Sequence, residues 1–331
     1  MTDAVRFADI FRGDILESIH FGHAMVVNSA GEIVEGWGDA GKVILPRSSA
    51  KMIQALPLLE SGAGKNLSSE RLALACASHR GERIHVERIN AWLSELGLTR
   101  DDLKCGPQTS RDEALAAEMI RSDTAVTREF NNCSGKHTGF LMLSQHLNAD
   151  LEYVDPEHPV QRSVKEAFEG VTDETSPGYG IDGCSAPNFA CTMKGLAYAM
   201  AGYASADGKS GVRAKAQVAL RDAMIAHPEL VAGSGSACTE LMEAASEPFA
   251  VKTGAEGVYI AILPKQQLGV ALKIQDGATR AAEIAIAAIL VRLGVLDPEH
   301  PVVARYLNRP ILNWDGLVTG SEKPSAILLE H

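Results

Sequence analysis

The order of the predicted elements restricts the fold of this chain more than any other feature, because strands lie near both ends and helices lie between them. Two hairpins are predicted, at residues 24–37 and 258–274, since each contains two apolar runs separated by a short polar turn. Apolar residues recur at helical spacing at 68–76, 84–96, 111–120, 139–146, 160–170, 192–203, 211–227 and 278–293. We therefore predict a single α+β domain rather than alternating βαβ units. An antiparallel sheet would come from both chain ends (about 1–60 and 248–331), with a helical lobe (61–247) inserted between them.

Composition limits the partners and the compartment. The 331 residues are 46% hydrophobic and 22% charged, which is typical of a globular protein. The net charge of −11 argues against nucleic acid and anionic membranes as partners and leaves small polar substrates open. Residues 1–14 lack the apolar core of a secretory signal, and charged residues interrupt the longest apolar stretch, 281–296. We therefore expect a cytoplasmic protein whose six cysteines are reduced.

A serine and a lysine are spaced for acyl-transfer chemistry in a segment predicted to be the first turns of a helix. Ser48 and Lys51 are three residues apart and would share a helix face, so the amine could reach the hydroxyl. A serine becomes nucleophilic when a base removes its proton, and an uncharged Lys51 could be that base. Far along the chain, Lys252, Thr253 and Gly254 lie on a predicted strand edge. Ser-x-x-Lys followed by Lys-Thr-Gly is typical of serine enzymes of the β-lactamase and penicillin-binding type.

Neither motif is specific by itself. Ser-x-x-Lys has so few fixed positions that about one match is expected by chance in a chain of this length, and Lys-Thr-Gly is equally weak. Their order, and the kinds of element that carry them, favour an enzyme. A purely structural role for both motifs remains the alternative.

Polar loops at residues 77–82, 131–137 and 180–188 contain a second group of candidates. Cys133, Lys136 and Cys184 could give a zinc ion two sulfur ligands, one nitrogen ligand and an open fourth position. The spacing is not a standard zinc signature, and lysine must lose its proton to bind a metal. Two alternatives stay open: the cysteines could be buried, inert thiols, or Cys133 could be a nucleophile acidified by Lys136.

Five blocks of sequence together resemble the class 3, rhizobial-type L-asparaginases, the asparaginase II family. The blocks are, in chain order, ILPRSSAK at 44–51 with QALPL at 54–58, CASHRGE at 76–82, NCSGKH at 132–137, DGC at 182–184 and KTGAEG at 252–257. The resemblance runs from about residue 17 to residue 280. Met52 stands where this family is expected to have proline, and Ser236, in the loop 232–236, where it is expected to have a basic residue. The second departure puts substrate contacts of that loop in doubt.

The resemblance implies a serine β-lactamase-like fold, a homodimer, and hydrolysis of L-asparagine to L-aspartate and ammonia. It implies two catalytic pairs, Ser48 with Lys51 and Ser78 with Lys252. It also implies a zinc ion near the catalytic serines, which we expect to orient the substrate rather than to activate water. Its ligands would be Cys133, Lys136 and Cys184. Residues expected to bind the substrate are Arg47, His79, Glu82, Asn131, Asp182 and Gly254, although His79 and Glu82 could equally have structural roles.

In the expected mechanism, Lys51 takes the proton of Ser48, which attacks the side-chain amide carbon of asparagine. Ammonia leaves, and water hydrolyses the remaining β-aspartyl ester with Lys51 or the Ser78–Lys252 pair as base. Ser78 is the alternative nucleophile. Other functions that stay open are a glutaminase or β-lactamase on the same fold, a hydrolase driven by zinc, and a non-catalytic ligand-binding module.

Overall fold

A computed structural model describes residues 4–330, which form two compact units. The sheet unit comprises residues 4–44, 192–205 and 240–330, and the helical unit comprises Leu45–Cys191 and Ala206–Thr239. Within the described range, no helix is long and apolar enough to cross a membrane.

The strands and helices of the described chain are short and numerous. The strands are β1 (Val5–Arg12), β2 (Ile15–Asn28), β3 (Ile33–Trp37), β4 (Val43–Ile44), β5 (Tyr179–Ile181), β6 (Pro187–Phe189), β7 (Cys191–Thr192), β8 (Ala250–Gly254), β9 (Val258–Leu263), β10 (Leu268–Ile274), β11 (Arg309–Leu312) and β12 (Val318–Pro324). The helices are α1 (Lys51–Gln54), α2 (Leu56–Glu60), α3 (Ser69–Ala75), α4 (Arg83–Glu95), α5 (Glu113–Arg121), α6 (Ser134–His146), α7 (Pro159–Thr172), α8 (Met193–Ala204), α9 (Val212–Ala226), α10 (Pro228–Ala232), α11 (Ala237–Ala244), α12 (Thr279–Arg292) and α13 (Pro301–Leu307).

One antiparallel sheet organises the sheet unit. Among residues 4–330 its strands follow the order β11–β12–β1–β2–β10–β9–β8, and β3 pairs with β2. The pairing of β2 with β10 sets Met25 opposite Ala271, so the two ends of the chain meet in the middle of the sheet. This confirms the predicted α+β class and the antiparallel sheet built from both chain ends. Both predicted hairpins are present, whereas β1, β11 and β12 were not predicted.

Two helices of the sheet unit have environments that the sequence pattern did not specify. Helix α8 packs against β10 so closely that a Cβ on Gly269 would lie 2.1 Å from the backbone N of Ala201. Helix α12 was predicted to be amphipathic, yet nearly all of its side chains between Ala281 and Leu290 are buried. The sheet unit therefore has a largely aliphatic core that includes these two helices.

In the helical unit, α3 packs against α6 and α9, and α2 packs against α7 and α9. The predicted helices of this unit are all present. Helix α6 begins at Ser134, five residues before the predicted start, so Lys136 and His137 are helical rather than in a loop. Residues 45–60, assigned by sequence to the sheet lobe, group with this unit, while α8 groups with the sheet unit.

Candidate active site

The segment that carries Ser48 is a 3-10 turn, Arg47–Ala50, and α1 begins only at Lys51. The Lys51 side chain is 1% exposed, and its Nζ lies 2.5 Å from Ala77 O, 3.0 Å from Ser78 Oγ and 3.3 Å from Asn132 O. Within residues 4–330, these bonds replace the predicted hydrogen bond between Lys51 and Ser48. The reason is that a buried amine needs acceptors, and the carbonyl groups after α3 and before α6 supply them.

The three oxygen atoms around Lys51 Nζ suit the transfer of a proton from Ser78. An uncharged amine has two N–H donors and one lone pair, and the two backbone carbonyls can only accept. In an uncharged Lys51, the two carbonyls would therefore take both donors and leave the lone pair for the Ser78 hydroxyl. An ammonium group would donate to all three oxygens instead, so the same geometry accommodates the amine before and after it takes a proton, as a general base requires.

Ser78 and His79 follow α3 in a loop held by buried hydrogen bonds. The backbone N–H of Ser78 donates to Val231 O at 2.8 Å. His79 is fully buried, its Nδ1 accepts from the N–H of Gly81 at 3.0 Å, and its Nε2 donates to Ser134 Oγ at 2.9 Å. Burial, together with nearby positive groups, lowers the pKa of His79 well below its ordinary value. Both ring nitrogens are thus occupied by the protein, which favours a structural role for His79.

Glu82 holds a neighbouring loop through two oxygens. Its Oε1 accepts from the backbone N–H of Ser234 at 2.9 Å and its Oε2 from the Ser234 hydroxyl at 3.3 Å. The aliphatic stem of Arg80 lies under the adjacent Gly233, where an added Cβ would come within 2.5 Å of Arg80 Cγ. Glu82 also begins α4 with a capping box to His85. These contacts give Glu82 a role in shaping the loop that contains the unusual Ser236.

Asn131, predicted to contact the substrate, uses its whole amide within the protein. Its Nδ2 donates to Cys105 O at 2.8 Å and to Gly106 O at 3.2 Å, and its Oδ1 accepts from the N–H of Cys133 at 2.9 Å. The amide therefore fixes the backbone immediately before α6. Its neighbour Asn132, which sequence reasoning missed, contacts Lys51 through a backbone carbonyl, and no side-chain pattern indicates such a contact.

The three residues predicted to hold zinc come together in the helical unit. Lys136 Nζ lies 3.1 Å from Cys184 Sγ, and all three side chains are buried. A hydrogen bond from Cys133, aided by the positive Lys136, lowers the pKa of Cys184, while that bond raises the pKa of Cys133. Burial alone would lower the pKa of Lys136, but the two sulfurs raise it above its usual value. These shifts favour a negative charge on Cys184 and a positive charge on Lys136, which offset one another beside a protonated Cys133.

The donor atoms of this cluster are of the kinds that zinc binds. Among residues 4–330, no group of three or more His, Cys, Asp or Glu side chains could hold a metal ion. Two sulfurs and one amine nitrogen nevertheless converge, and Zn²⁺ binds sulfur and nitrogen ligands with an open position when only three come from the protein. Cys133, Lys136 and Cys184 thus fit zinc, on condition that they lose their protons.

Arg47 and Asp182 form an ion pair beside the Ser48 turn. Arg47 NH2 lies 2.8 Å from Asp182 Oδ1, and both side chains are mostly buried. Burial alone would raise the pKa of Asp182, but the hydrogen bond and charge of Arg47, with the charge of Lys136, lower it. Both residues were predicted to bind substrate, and the structure brings them together. Asn188, which sequence reasoning did not single out, contacts the backbone of Arg47.

Lys252 and Gly254 lie in the sheet unit on β8, at one end of the strand order, as predicted for the Lys-Thr-Gly motif. Lys252 is fully buried, and its Nζ donates to Thr253 O at 2.8 Å. The pairing of Lys252 with Ser78 and the substrate contact of Gly254 remain predictions.

A serine hydroxyl hydrogen-bonded to a buried lysine, in an α+β protein with an antiparallel sheet, is an arrangement of serine hydrolases. The family model of L-asparaginase II matches residues 8–324, and the chain belongs to that family. A search of curated protein sequences found no match.

Solved structures that this chain is similar to have low sequence identity. Mglu in its native form is 12% identical, with a TM-score of 0.46, and the match covers 84% of this chain and 66% of that chain. This chain thus spans less than two thirds of Mglu. The D-alanine carboxypeptidase AmpC from Burkholderia cenocepacia is 11% identical (TM-score 0.40, 79% and 91% covered). The octameric penicillin-binding protein homologue from Pyrococcus abyssi is 11% identical (TM-score 0.37, 89% and 79% covered).

Proposed function

We propose that this protein hydrolyses L-asparagine to L-aspartate and ammonia through a serine acyl-enzyme. Membership of the L-asparaginase II family supports a hydrolase. The observation that carries the proposal is the 3.0 Å contact between Lys51 Nζ and Ser78 Oγ, because it joins a serine hydroxyl to a buried group that can take its proton.

Lys51 accepts the proton that is released when a serine oxygen attacks the side-chain amide carbon. That proton passes to the leaving nitrogen, so ammonia departs and a β-aspartyl ester remains on the serine. Water then attacks the ester and Lys51 again accepts a proton. Lys51 returns this proton to the serine oxygen as the ester bond breaks, so aspartate leaves and both groups are restored. Ser78, in direct contact with Lys51, takes part in these transfers.

Two observations bear on which serine carries the ester. The Ser-x-x-Lys spacing and the position in a helical turn favour Ser48. The hydrogen bond with Lys51 favours Ser78. Rapid acid quenching of the enzyme with excess L-asparagine, followed by mass analysis of peptides, locates the ester on one of the two.

The substrate is an α-amino acid, and the Arg47–Asp182 pair is complementary to it. A guanidinium group binds a carboxylate through paired hydrogen bonds, and a carboxylate binds an ammonium group. We therefore propose that Arg47 holds the α-carboxylate of asparagine and Asp182 its α-ammonium group. The 2.8 Å ion pair supports this because it keeps the two groups side by side.

Zinc is proposed as a cofactor on Cys133, Lys136 and Cys184. When bound, the ion would help to orient the polar groups of the substrate. The protein's own contribution is a buried set of soft donors whose protons must leave on binding, so zinc affinity is expected to fall as the pH falls.

A cytoplasmic location and a homodimer are also proposed. Six free, buried cysteines support a reducing compartment. Several apolar side chains of the sheet unit are exposed near hairpin ends, and a second copy of the chain would cover them; they are Ile15, Leu312, Trp314, Leu317 and Val318. Light scattering gives the mass of the assembly directly.

Ammonia release tests the proposed reaction. L-asparagine, L-glutamine and a β-lactam are supplied to the wild type and to Ser48→Ala, Ser78→Ala and Lys51→Ala, each with and without zinc. We expect turnover of asparagine by the wild type and its loss in Ser78→Ala and Lys51→Ala.

Ser49→Ala is the matched control, because the buried Ser49 hydroxyl only donates to Pro46 O at 2.7 Å. Preferred turnover of glutamine or the β-lactam, or full activity without Lys51, would refute the proposal. A chelator that abolishes turnover at saturating substrate would instead favour a zinc-driven hydrolase.

A further inference from the structure

We propose that Asn188 is a positioning residue that holds Arg47 in a left-handed backbone conformation and thereby sets the direction of the Ser48 backbone N–H. The inference rests on the proposed function for its catalytic meaning. The geometry that supports it is independent of that function.

Arg47 adopts a conformation that a residue with a Cβ rarely takes. Its φ is +55°, in the left-handed region where the side chain crowds the backbone. Such a residue persists only where its surroundings hold it there, and strained residues of this kind cluster at functional sites. Arg47 is directly followed by Ser48 and starts the 3-10 turn.

Asn188 binds both backbone groups of Arg47. The Arg47 N–H donates to Asn188 Oδ1 at 3.0 Å, and Asn188 Nδ2 donates to Arg47 O at 3.3 Å. The two bonds fix the orientation of the amide, because exchanging its oxygen and nitrogen would break both. Asn188 is 3% exposed and lies on β6, so its side chain has little freedom.

The carbonyl of Arg47 and the N–H of Ser48 belong to one planar peptide group. When Asn188 holds the carbonyl oxygen, it therefore also fixes where the Ser48 N–H points. With Ser48 as the nucleophile, this N–H would donate to the oxyanion of the reaction, and such donors act only when they are already in place.

The loop that precedes β6 and Asn188 also orients the Arg47 side chain. Asp182 binds its guanidinium at 2.8 Å, and the loop is closed by hydrogen bonds from Ser185 N to Asp182 O and from Asp182 N to Ala186 O. One segment thus controls the backbone of Arg47 through Asn188 and its side chain through Asp182. Without Asn188, the Arg47 backbone loses both of these hydrogen bonds, and we expect it to leave the left-handed region and turn the Ser48 peptide.

The test replaces the Asn188 amide by an apolar group of similar volume. Crystal structures and kinetics are determined for Asn188→Leu and for the matched control Gln54→Leu. Gln54 is also a buried amide that contacts the same strand, through a 3.4 Å hydrogen bond to Pro187 O, but it makes no bond to Arg47. Asn188→Asp, which keeps the acceptor for the Arg47 N–H, is the second variant should the leucine variant fail to fold.

In Asn188→Leu we expect a negative φ at Arg47 and a fall in kcat of about 100-fold, the scale that a misplacement of about 1 Å can cause. Gln54→Leu should keep the left-handed Arg47 and its kcat. Asn188→Asp should give an intermediate kcat. Arg47 that stays left-handed in the variants of Asn188, or an equal loss of kcat in Gln54→Leu, would overturn the proposal. If the wild type does not hydrolyse asparagine, the proposed function fails, while the φ of Arg47 still decides the role of Asn188.

Discussion

Lys51 could act as a base that takes a proton or as a fixed positive charge, and replacement by arginine separates these two roles. Arginine keeps the charge but does not lose its proton in proteins. We expect Lys51→Arg to lower ammonia release by at least about 100-fold, the smaller end of the usual contribution of a general base. Lys51→Met, which adds no volume to this buried position, is expected to be inactive as well. Near-wild-type turnover in Lys51→Arg would show that only the charge matters.

Cys184 is proposed to bind zinc, and the zinc ion is proposed to help orient the substrate. Cys184→Ser removes the sulfur that Lys136 contacts at 3.1 Å, so we expect loss of bound zinc and a KM that rises more than kcat falls. Cys191→Ser is the matched control, because Cys191 is also a free, buried cysteine and is outside the cluster. Metal analysis and steady-state kinetics measure the two effects. A lower kcat with an unchanged KM would remove the proposed orienting role.

Sequence patterns located the polar loops of the site but not the direction of their side chains. Asn131 and Glu82 resemble substrate-binding residues because they are polar and lie in loops, yet their groups bind the protein backbone. The Ser-x-x-Lys spacing identified Lys51, whereas its actual partners are set by carbonyl groups that every residue type has. Cys133, Lys136 and Cys184 were candidate ligands from their residue types, but the family resemblance was needed to favour zinc, since their spacing is not that of a standard metal site.

Helix α6 begins earlier than its sequence pattern indicates because its first turn is polar and yet buried. Residues Ser134 to Thr138 carry no apolar periodicity, so the pattern becomes visible only from Gly139 onward. Their burial comes from the close packing of α6 on α3. The 3-10 turn at Arg47 was missed for a related reason: the sequence suits a helix, and hydrogen bonds to Asn188 on β6, far away in the sequence, decide its local form.

The contact between α6 and α3 depends on one glycine. A Cβ on Gly135 would lie 2.3 Å from Leu74 O, whereas one on Gly139 in the same helix would have its nearest neighbour at 3.4 Å. We expect Gly135→Ala to lower the free energy of unfolding by about 1–3 kcal/mol, as overpacking usually does. Gly139→Ala should leave it unchanged or raise it by up to about 1 kcal/mol, because alanine favours a helix. Urea denaturation measures both, and equal effects would contradict the close-packing argument.

At the scale of the whole molecule, the fold class was predictable because hairpin patterns at both ends surround helical patterns. The division of the chain into two compact units was harder to predict from the sequence. Helix α8 groups with the sheet unit and packs closely on the backbone at Gly269. Because glycine has no side chain, this contact does not appear as an apolar residue in the sequence pattern. Strands β11 and β12 are short and mostly half-buried or exposed, so their alternation is weak.

The stability of the molecule should depend on pH through buried, neutral histidines. Burial lowers the pKa of both His79 and His85, which stack with ring centroids 4.7 Å apart. In the unfolded chain each titrates near its ordinary value of about 6.5, so below that pH the unfolded state binds more protons than the folded state. Stability is therefore complete above pH 6.5 and falls as the pH decreases, by up to about 1.4 kcal/mol per pH unit for each histidine. Carboxylates such as Asp182, whose pKa is lowered, lose their contribution only at more acidic pH.

Denaturation between pH 7.5 and 5 measures this dependence. His79→Gln keeps an amide that can donate to Ser134 but removes one titrating group, so we expect a shallower loss of stability with decreasing pH. His146→Gln is the matched control, because it makes the same substitution at an exposed position. A wild-type slope in the His79 variant would show that proton uptake by His79 in the unfolded state does not contribute to the pH dependence of stability. A slope that changes equally in both variants would instead assign the effect to net charge.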